Sequence, residues 1–349
     1  MSNYDQFAAA VKEISGGKNV VLLDDLGLPS VYVPINKLKN SEIISGGSEN
    51  THPAFSVNGV EKSRFLYSKY QNIVINGRAY SLSHRDPKTY VNFDQARQAC
   101  EAKGAGFHLG TLAEWAAVAL LTRKMGTMPH GNNNYGGDSA YTYEKGQESA
   151  KDNNKTGRTF TGSGPATWGH DHTQFGIQDM NGNVWEWLGG MRLNEGEIQI
   201  IPYNNAALGS ECDMSASSTL WKAIKNDGSL VAPGTVATLK YDFVSGNIQL
   251  TTGITSAQDA GRGGSYTAMT LASGVTAPEL AKALILYPDE PGKDYGGDYH
   301  WMNNAGERLP IAGGIWTSGA DAGVFLLYLN PARSNSSGLV GFRSAYVEL

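Results

Sequence analysis

The feature of this sequence that most constrains its fold is an alternating segment near its end, residues 324–330, which reads Val-Phe-Leu-Leu-Tyr-Leu-Asn. Successive side chains of a β-strand point to opposite faces, so Phe325, Leu327 and Leu329 share one face. This apolar face predicts contact with a core. The intervening leucine, tyrosine and asparagine predict a face that points partly toward solvent or toward a bound partner.

The residues around this strand fall into two kinds. Short runs of small or polar residues occur at 317–318, 321 and 335–338. Between them stand glycines and large side chains, which we interpret as anchors: Trp316, Gly319, Gly323, Arg333, Gly341 and Phe342. The pattern therefore indicates a rigid frame, over residues 313–346, that displays replaceable side chains.

Three motifs carry a resemblance to a known family. Residues 175–187 read FGIQDMNGNVWEW, residues 109–115 read LGTLAEW, and residues 341–343 read GFR. Together they resemble the formylglycine-generating-enzyme-like branch of the C-type lectin fold, although Gly110 replaces a proline of the family pattern. More narrowly, the frame from Gly314 to Arg343 is similar to the variable proteins of diversity-generating retroelements, of the phage major tropism determinant type.

The resemblance implies an α+β, C-type lectin-like fold with long loops and insertions. We expect this domain over residues 56–349, with helices near 94–103 and 112–123 and an insertion over about 188–300. Residues 1–55 are expected to form an N-terminal arm that serves assembly. Since this region is too short for a core of its own, a strand pair packed on the main domain is an equal alternative.

The resemblance also implies which residues bind ligand. Retroelement mutagenesis acts on template adenines, so asparagine codons of the form AAY are converted into many others. The residues of this frame that such changes can reach form the expected variable, ligand-binding set: Ile315, Thr317, Ser318, Asp321, Leu326, Tyr328, Asn330, Pro331, Ser337, Gly338 and Leu339.

No catalytic residues are expected. The enzymatic relatives use a pair of cysteines in their C-terminal region, whereas residues 313–343 contain none, and the only cysteines are Cys100 and Cys212. The family would bind calcium through Asn183, the Val184 carbonyl and Glu186, and oxygen ligands suit that ion. The alternative is that Asn183 is a turn residue and that other groups of the protein bond the Glu186 carboxylate. Apart from this calcium, no cofactor is expected.

Charge and hydropathy limit the partners. A net charge of -5 without a basic cluster disfavours nucleic acid. No apolar run is long enough for membrane insertion, and no signal peptide is recognised at the start. The resemblance instead predicts a host-cell surface protein or glycan as ligand, a homo-oligomer, most simply a trimer, and a place in a phage tail after synthesis in the cytoplasm. A structural scaffold without ligand, or an oxidase, remain the competing functions.

Overall fold

The computed structural model describes residues 3–349, with side chains from Tyr4 onward. Within this range the α-helices are short and widely separated in sequence. They are α1 (Asn3–Ile14), α2 (Asn40–Ile43), α3 (Phe93–Glu101), α4 (Leu112–Met125) and α5 (Glu279–Ala283). The two helices predicted near 94–103 and 112–123 are confirmed as α3 and α4.

Helix α4 shows how local sequence sets an element. The Thr111 hydroxyl accepts the Glu114 N–H at 3.2 Å, and the Glu114 carboxylate accepts the Thr111 N–H at 3.0 Å. This reciprocal capping box satisfies two amides that the first turn leaves unpaired. Gly126 ends the helix in the left-handed region, with φ of 71°, where a side chain would be strained.

A five-stranded antiparallel sheet joins the two ends of the described chain. Its strands, in spatial order, are Val20–Leu23, Pro29–Asn36, Arg64–Ser68, Ser344–Tyr346 and Phe107–Leu109. The first two strands come from the segment expected to be a separate arm. They pair with the lectin-like domain, and Phe55 is buried in its core, as in the alternative of a strand pair packed on the main domain.

A six-stranded mixed sheet contains residues 327–329 of the alternating segment 324–330, which we call the organising segment. In spatial order its strands are Arg262–Ser265, Tyr299–Met302, Leu327–Leu329, Ile311–Ala312, Trp185–Trp187 and Val340–Phe342. The strand predicted over 324–330 is thus shorter than expected. The Leu326 N–H donates to the Gly323 carbonyl at 3.2 Å, and this turn delays the start of the strand.

An eight-stranded sheet forms most of the region 188–300. Six strands follow one another in space: Leu230–Val231, Lys222–Ile224, Glu197–Ile200, Lys240–Val244, Asn247–Thr251 and Thr270–Leu271. Met191–Asn194 and Glu307–Arg308 pair beside them. Three two-stranded hairpins complete the strands: Ser56–Val57 with Val60–Glu61, Ile73–Ile75 with Arg78–Tyr80, and Lys151–Asp152 with Lys155–Thr156.

The core packs α4 against the start of the organising segment. The Trp115 indole N–H donates to the Val324 carbonyl at 2.7 Å, and Phe325 is fully buried. The Phe325 ring stacks on Tyr266 and meets Tyr295 edge-on, with centroids 5.5 and 4.9 Å apart. Within the described chain, no helix is both long and apolar enough to cross a membrane.

Candidate functional site: a cavity on the six-stranded sheet

The backbone of the C-terminal segment is held by anchors that each contact a different part of the chain. Arg333 forms ion pairs with Glu307 and Asp94, both at 3.0 Å. The Trp316 indole N–H donates to the Asp152 carboxylate at 3.0 Å. These contacts join the segment to three distant regions, so its path is set by tertiary structure.

At two anchor positions only glycine fits, because another part of the chain lies too close for a Cβ atom. A Cβ at Gly323 would lie 2.1 Å from a carboxylate oxygen of Asp298, and one at Gly341 would lie 2.7 Å from the Lys88 carbonyl oxygen. No real Cβ comes so close to another heavy atom, and neither contact can relax freely because Asp298 is buried and the second partner is backbone. The anchor positions therefore have little freedom to change.

Arg343, which follows the last anchor Phe342, is buried among polar groups. Its guanidinium pairs with the Glu186 carboxylate at 2.7 and 3.0 Å and also donates to the carbonyls of Ser68, Lys69 and Gln178. Burial raises the pKa of Glu186, while the adjacent guanidinium opposes that shift. The pair joins the family motif to the end of the chain.

Beside these anchors the outer face of the six-stranded sheet opens into a cavity of about 450 Å³. Residues between 318 and 340 form most of its wall, and Trp185, Trp301 and Ile311 from other strands complete it. The lining residues are Trp185, Trp301, Ile311, Ser318, Asp321, Leu326, Tyr328, Asn330, Pro331, Asn335, Ser337, Leu339 and Val340.

Most of the expected variable residues meet in this cavity. Eight of the eleven line it: Ser318, Asp321, Leu326, Tyr328, Asn330, Pro331, Ser337 and Leu339. Ile315, Thr317 and Gly338 do not line it, although each is a near neighbour in sequence of a residue that does. A Cβ at Gly338 would lie 2.9 Å from the Tyr90 hydroxyl, whose exposed side chain can move.

The structure corrects one part of this expectation. The alternation predicts that Leu326 points partly toward solvent or a partner, but its side chain is only 1% exposed, and Pro331 is also buried. The turn at Gly323 directs Leu326 into the cavity wall rather than outward. Polar replacements at Leu326 therefore face a cost that replacements at Leu339, 38% exposed, do not.

Tyr328 occupies the centre of an aromatic row. Its ring is 5.3 Å from that of Trp185 at an interplanar angle of 28°, and 6.1 Å from that of Trp301 at 56°. Its hydroxyl accepts the Asn330 side-chain N–H at 3.1 Å. Because all three rings are only half-buried, they remain available for contact while holding one another in place.

The rim of the cavity carries unused hydrogen-bonding groups. The side chains of Asp321 and Asn335 form no hydrogen bond within the described chain, while the Ser318 hydroxyl accepts only the Ile315 N–H, at 3.0 Å. Partial burial raises the pKa of the Asp321 carboxyl. The cavity thus combines an aromatic wall with polar groups that a bound molecule could satisfy.

The sequence matches the sulfatase-modifying factor enzyme 1-like domain over residues 34–268, which is more than half of the chain. The chain belongs to this family. Its α+β architecture is accordingly of the C-type lectin-like type. The match ends before the segment that forms most of the cavity.

Two solved structures resemble this member of the sulfatase-modifying factor enzyme 1-like family. Treponema denticola variable protein 1 is 13% identical, with a TM-score of 0.35, over 94% of this chain and 98% of its own. A Major Tropism Determinant P3c variant is 10% identical, with a TM-score of 0.32, over 94% of this chain and 71% of its own. No curated protein sequence matches significantly.

The calcium ligands implied by the family do not fit a cation in this chain. The Gln71 side-chain NH₂ lies within hydrogen-bonding distance of the Val184 carbonyl, Glu186 carboxylate and Asp179 carbonyl, at 3.1, 3.0 and 3.3 Å. The Asn183 amide NH₂ donates to Gln71, and Arg343 balances the charge of Glu186. An amide and a guanidinium thus bond the oxygens that would hold calcium, which is the arrangement of the alternative in which the protein itself satisfies Glu186.

Sequence reasoning missed two lining residues of particular interest, Trp185 and Trp301. Trp185 belongs to the motif at residues 175–187, but nothing in that motif marks it as a lining residue. Trp301 lies in the YHWM strand, where His300 and Met302 are buried and Tyr299 and Trp301 are half-buried. That alternation would have predicted an outward tryptophan, but the pairing of Trp301 with Tyr328 on a parallel strand exists only in the tertiary structure.

Proposed function

We propose that this protein binds ligands through the cavity and that a retroelement diversifies the cavity's lining. The observation that carries the proposal is the convergence, in one cavity, of eight residues selected by codon reasoning from a longer segment. The anchors that alternate with them along the chain make close contacts elsewhere. A binding site can then change while its backbone does not.

The energetics of replacement support this division. Truncating a fully buried side chain costs about 2–5 kcal/mol because it leaves a cavity, whereas surface changes stay within about 0.5 kcal/mol. Asp321, Ser337 and Leu339 lie at the rim, where replacement leaves no enclosed void. The anchor Phe342 and its neighbour Arg343 are fully buried. Variation at these rim positions therefore preserves folding, whereas Leu326 and Pro331, which also line the cavity, are buried.

A non-catalytic role is part of the proposal. Both cysteines are buried, and burial raises the pKa of Cys212 to about 11 and that of Cys100 well above its usual value. A thiolate, rather than a thiol, is the nucleophile and the metal ligand. The cavity lining contains neither of these residues and no histidine. This arrangement favours binding over cysteine oxidation.

The proposal is tested by sequencing the DNA around the gene. We expect a near-identical copy of the stretch encoding residues 313–343, differing from it at adenines, beside a reverse-transcriptase gene. Differences that fall mainly on the eight lining positions would support diversification. The absence of such a copy would favour the alternative of a scaffold without ligand.

A displayed library tests the same division directly in the protein. Randomising Ser318, Asp321, Ser337 and Leu339 should leave most clones folded, and panning against bacterial cells should enrich some of them. The matched library randomises Gly323, Arg333, Gly341 and Phe342, and we expect most of its clones to be lost to proteolysis. Equal survival of the two libraries would remove the basis of the proposal.

We further propose a homotrimer that recognises host cells from a phage tail. Helix α1 supports assembly, because Tyr4, Phe7 and Ile14 are 41, 44 and 75% exposed on a helix too short to be stable alone. Linked copies raise avidity by about 10²–10⁴ where geometry allows. Light scattering should give a trimer mass that falls for Phe7→Glu, whereas a wild-type monomer would contradict assembly. The tail location rests on the sequence resemblance alone.

A further inference from the structure

We propose that the cavity takes a carbohydrate and that Trp185 and Trp301, outside the expected variable set, impose this ligand class. The inference rests on the proposed binding function and adds a chemical class to it. In this scheme the variable residues choose among sugars. The two tryptophans keep every variant a sugar binder.

The aromatic row is positioned by the sheet rather than by flexible loops. Trp301 is the register partner of Tyr328 on one side, and Ile311 is its partner on the other. Trp185 comes from the strand beyond Ile311 and leans back to stack on Tyr328. Side chains held in this way lose little conformational entropy on binding, which favours affinity even for small ligands.

A sugar ring has groups that complement both the aromatic wall and the polar rim of this cavity. Its C–H groups are apolar and slightly positive, so they pack against the electron-rich rings of tryptophan and tyrosine. Its hydroxyls both donate and accept hydrogen bonds. The side chains of Asp321 and Asn335, which have no partner in the described chain, can take up those hydroxyl bonds.

Size and ring geometry disfavour other ligands. A cavity of about 450 Å³ falls in the range of small-molecule sites, whereas a protein partner buries about 800 Å² per side over a broad surface. A cage for an ammonium group needs several aromatic faces turned toward one cation. Here Trp185, Tyr328 and Trp301 follow one another in a row and do not surround one point. The ring surfaces that the row leaves exposed suit a flat sugar ring better.

The cavity also continues into a polar groove that could take a second sugar. This groove shares Asn330, Pro331 and Asn335 with the cavity and is otherwise lined by polar and small residues that include Asp259, Asn303 and Arg308. Asn303 donates to the Asn330 amide oxygen at 2.9 Å, so the two spaces meet at a hydrogen-bonded boundary. The surface therefore suits an oligosaccharide that extends from an aromatic subsite into a polar one.

The test uses the full chain on an array of defined oligosaccharides that includes bacterial lipopolysaccharide and capsule fragments. We expect binding to a subset of glycans. Trp301→Leu and Trp185→Leu should each weaken it at least tenfold, and Trp301→Phe, which keeps a ring, should weaken it less. Tyr143→Ala is the control, because that ring is 80% exposed and lies outside the cavity. Asn335→Ala tests the rim without disturbing the rings.

A second experiment distinguishes failure of the carbohydrate inference from failure of the proposed binding function. Bacterial cells that bind the protein are treated with periodate, which destroys sugars, or with proteinase K. Binding that survives periodate but not proteinase K would overturn the carbohydrate class and keep the binding function. Unchanged binding by folded Trp301→Leu and Trp185→Leu would overturn the role of the tryptophans. Failure to bind any glycan or any strain would count against the binding function itself.

Discussion

Two regions of the same C-terminal segment use their polar groups in opposite ways. Arg343 is fully buried and donates to Glu186 and to three backbone carbonyls, so its bonding capacity is used within the protein. Asp321 and Asn335, in the cavity, have side chains without a partner in the described chain. Polar groups that are bonded within the protein stabilise the fold, whereas unbonded ones remain free for a ligand. We therefore expect larger losses of stability on mutation of the first kind than of the second.

The largest effect is expected at the buried pair. Arg343→Met removes the partner of Glu186 and leaves a carboxylate buried without a counter-charge, which costs about 3–5 kcal/mol of unfolding free energy. Chemical denaturation measures the loss. Adding Glu186→Gln should restore part of it, because the uncompensated charge is then gone. If Arg343→Met alone is as stable as wild type, the Arg343–Glu186 pair does not stabilise the fold.

The next largest effects are expected in the organising segment, where substitutions on its two faces should differ in their cost to stability. Phe325→Ala empties a fully buried site and should cost about 3–5 kcal/mol. Tyr328→Ala loses mainly its aromatic neighbours, at about 1 kcal/mol. Thermal and urea unfolding of both variants gives the comparison. A larger loss for Tyr328→Ala would mean that the cavity wall, rather than the core face, carries the stability.

A substitution at Gln71 tests whether its amide, rather than a calcium ion, bonds the Val184 carbonyl and the Glu186 carboxylate. Gln71→Ala leaves the Val184 carbonyl and the Glu186 carboxylate short of a donor, at a cost of about 1–3 kcal/mol. In the wild type, neither calcium nor a chelator should change the melting temperature. A calcium-dependent increase in wild-type stability would reject the amide assignment.

Asp179, in the motif at residues 175–187, is a buried carboxyl with one unbonded oxygen. One of its oxygens accepts the Gly162 N–H and the other has no partner, and burial raises its pKa to about 6. Because the folded pKa exceeds the unfolded value near 3.8, this group's contribution is greatest below pH 3.8 and is lost as pH rises through 6. Asp179→Asn should flatten that decline and gain roughly 1–3 kcal/mol at pH 7.

The measurement is the unfolding free energy of both proteins at several pH values between 3 and 8. Asparagine tolerates the positive φ of 61° at this position, so the substitution adds little backbone strain. Parallel pH profiles for the two proteins would contradict the assignment of this dependence to Asp179.

The smallest effect is expected in the cavity. Asp321→Asn replaces a half-buried carboxyl whose pKa is raised by burial, so the change should favour folding slightly at neutral pH, by less than about 0.5 kcal/mol. The same variant should lose ligand, since an amide accepts fewer hydrogen bonds than a carboxylate. A stability loss comparable to that of Arg343→Met would erase the contrast between cavity and frame.

The sequence by itself determined the elements whose causes are local. The capping box at Thr111 and Glu114 predicts the start of α4, and alternation predicts which side of the organising strand faces the core. Codon reasoning on the resemblance also identified most of the residues that meet in the cavity. These inferences succeeded because capping, periodicity and codon content are properties of short stretches of chain.

Tertiary structure alone decided the rest. Trp301 reaches the cavity because its strand pairs in parallel with Tyr328 across the sheet, and no local pattern specifies that register. Gln71 bonds Val184 and Glu186 because the loop after the strand Arg64–Ser68, far away in sequence, brings its amide to them. Leu326 is buried, despite its outward place in the alternation, because a turn at Gly323 comes before the strand. Contacts between residues far apart in sequence depend on the whole fold, whereas periodicity describes only neighbours.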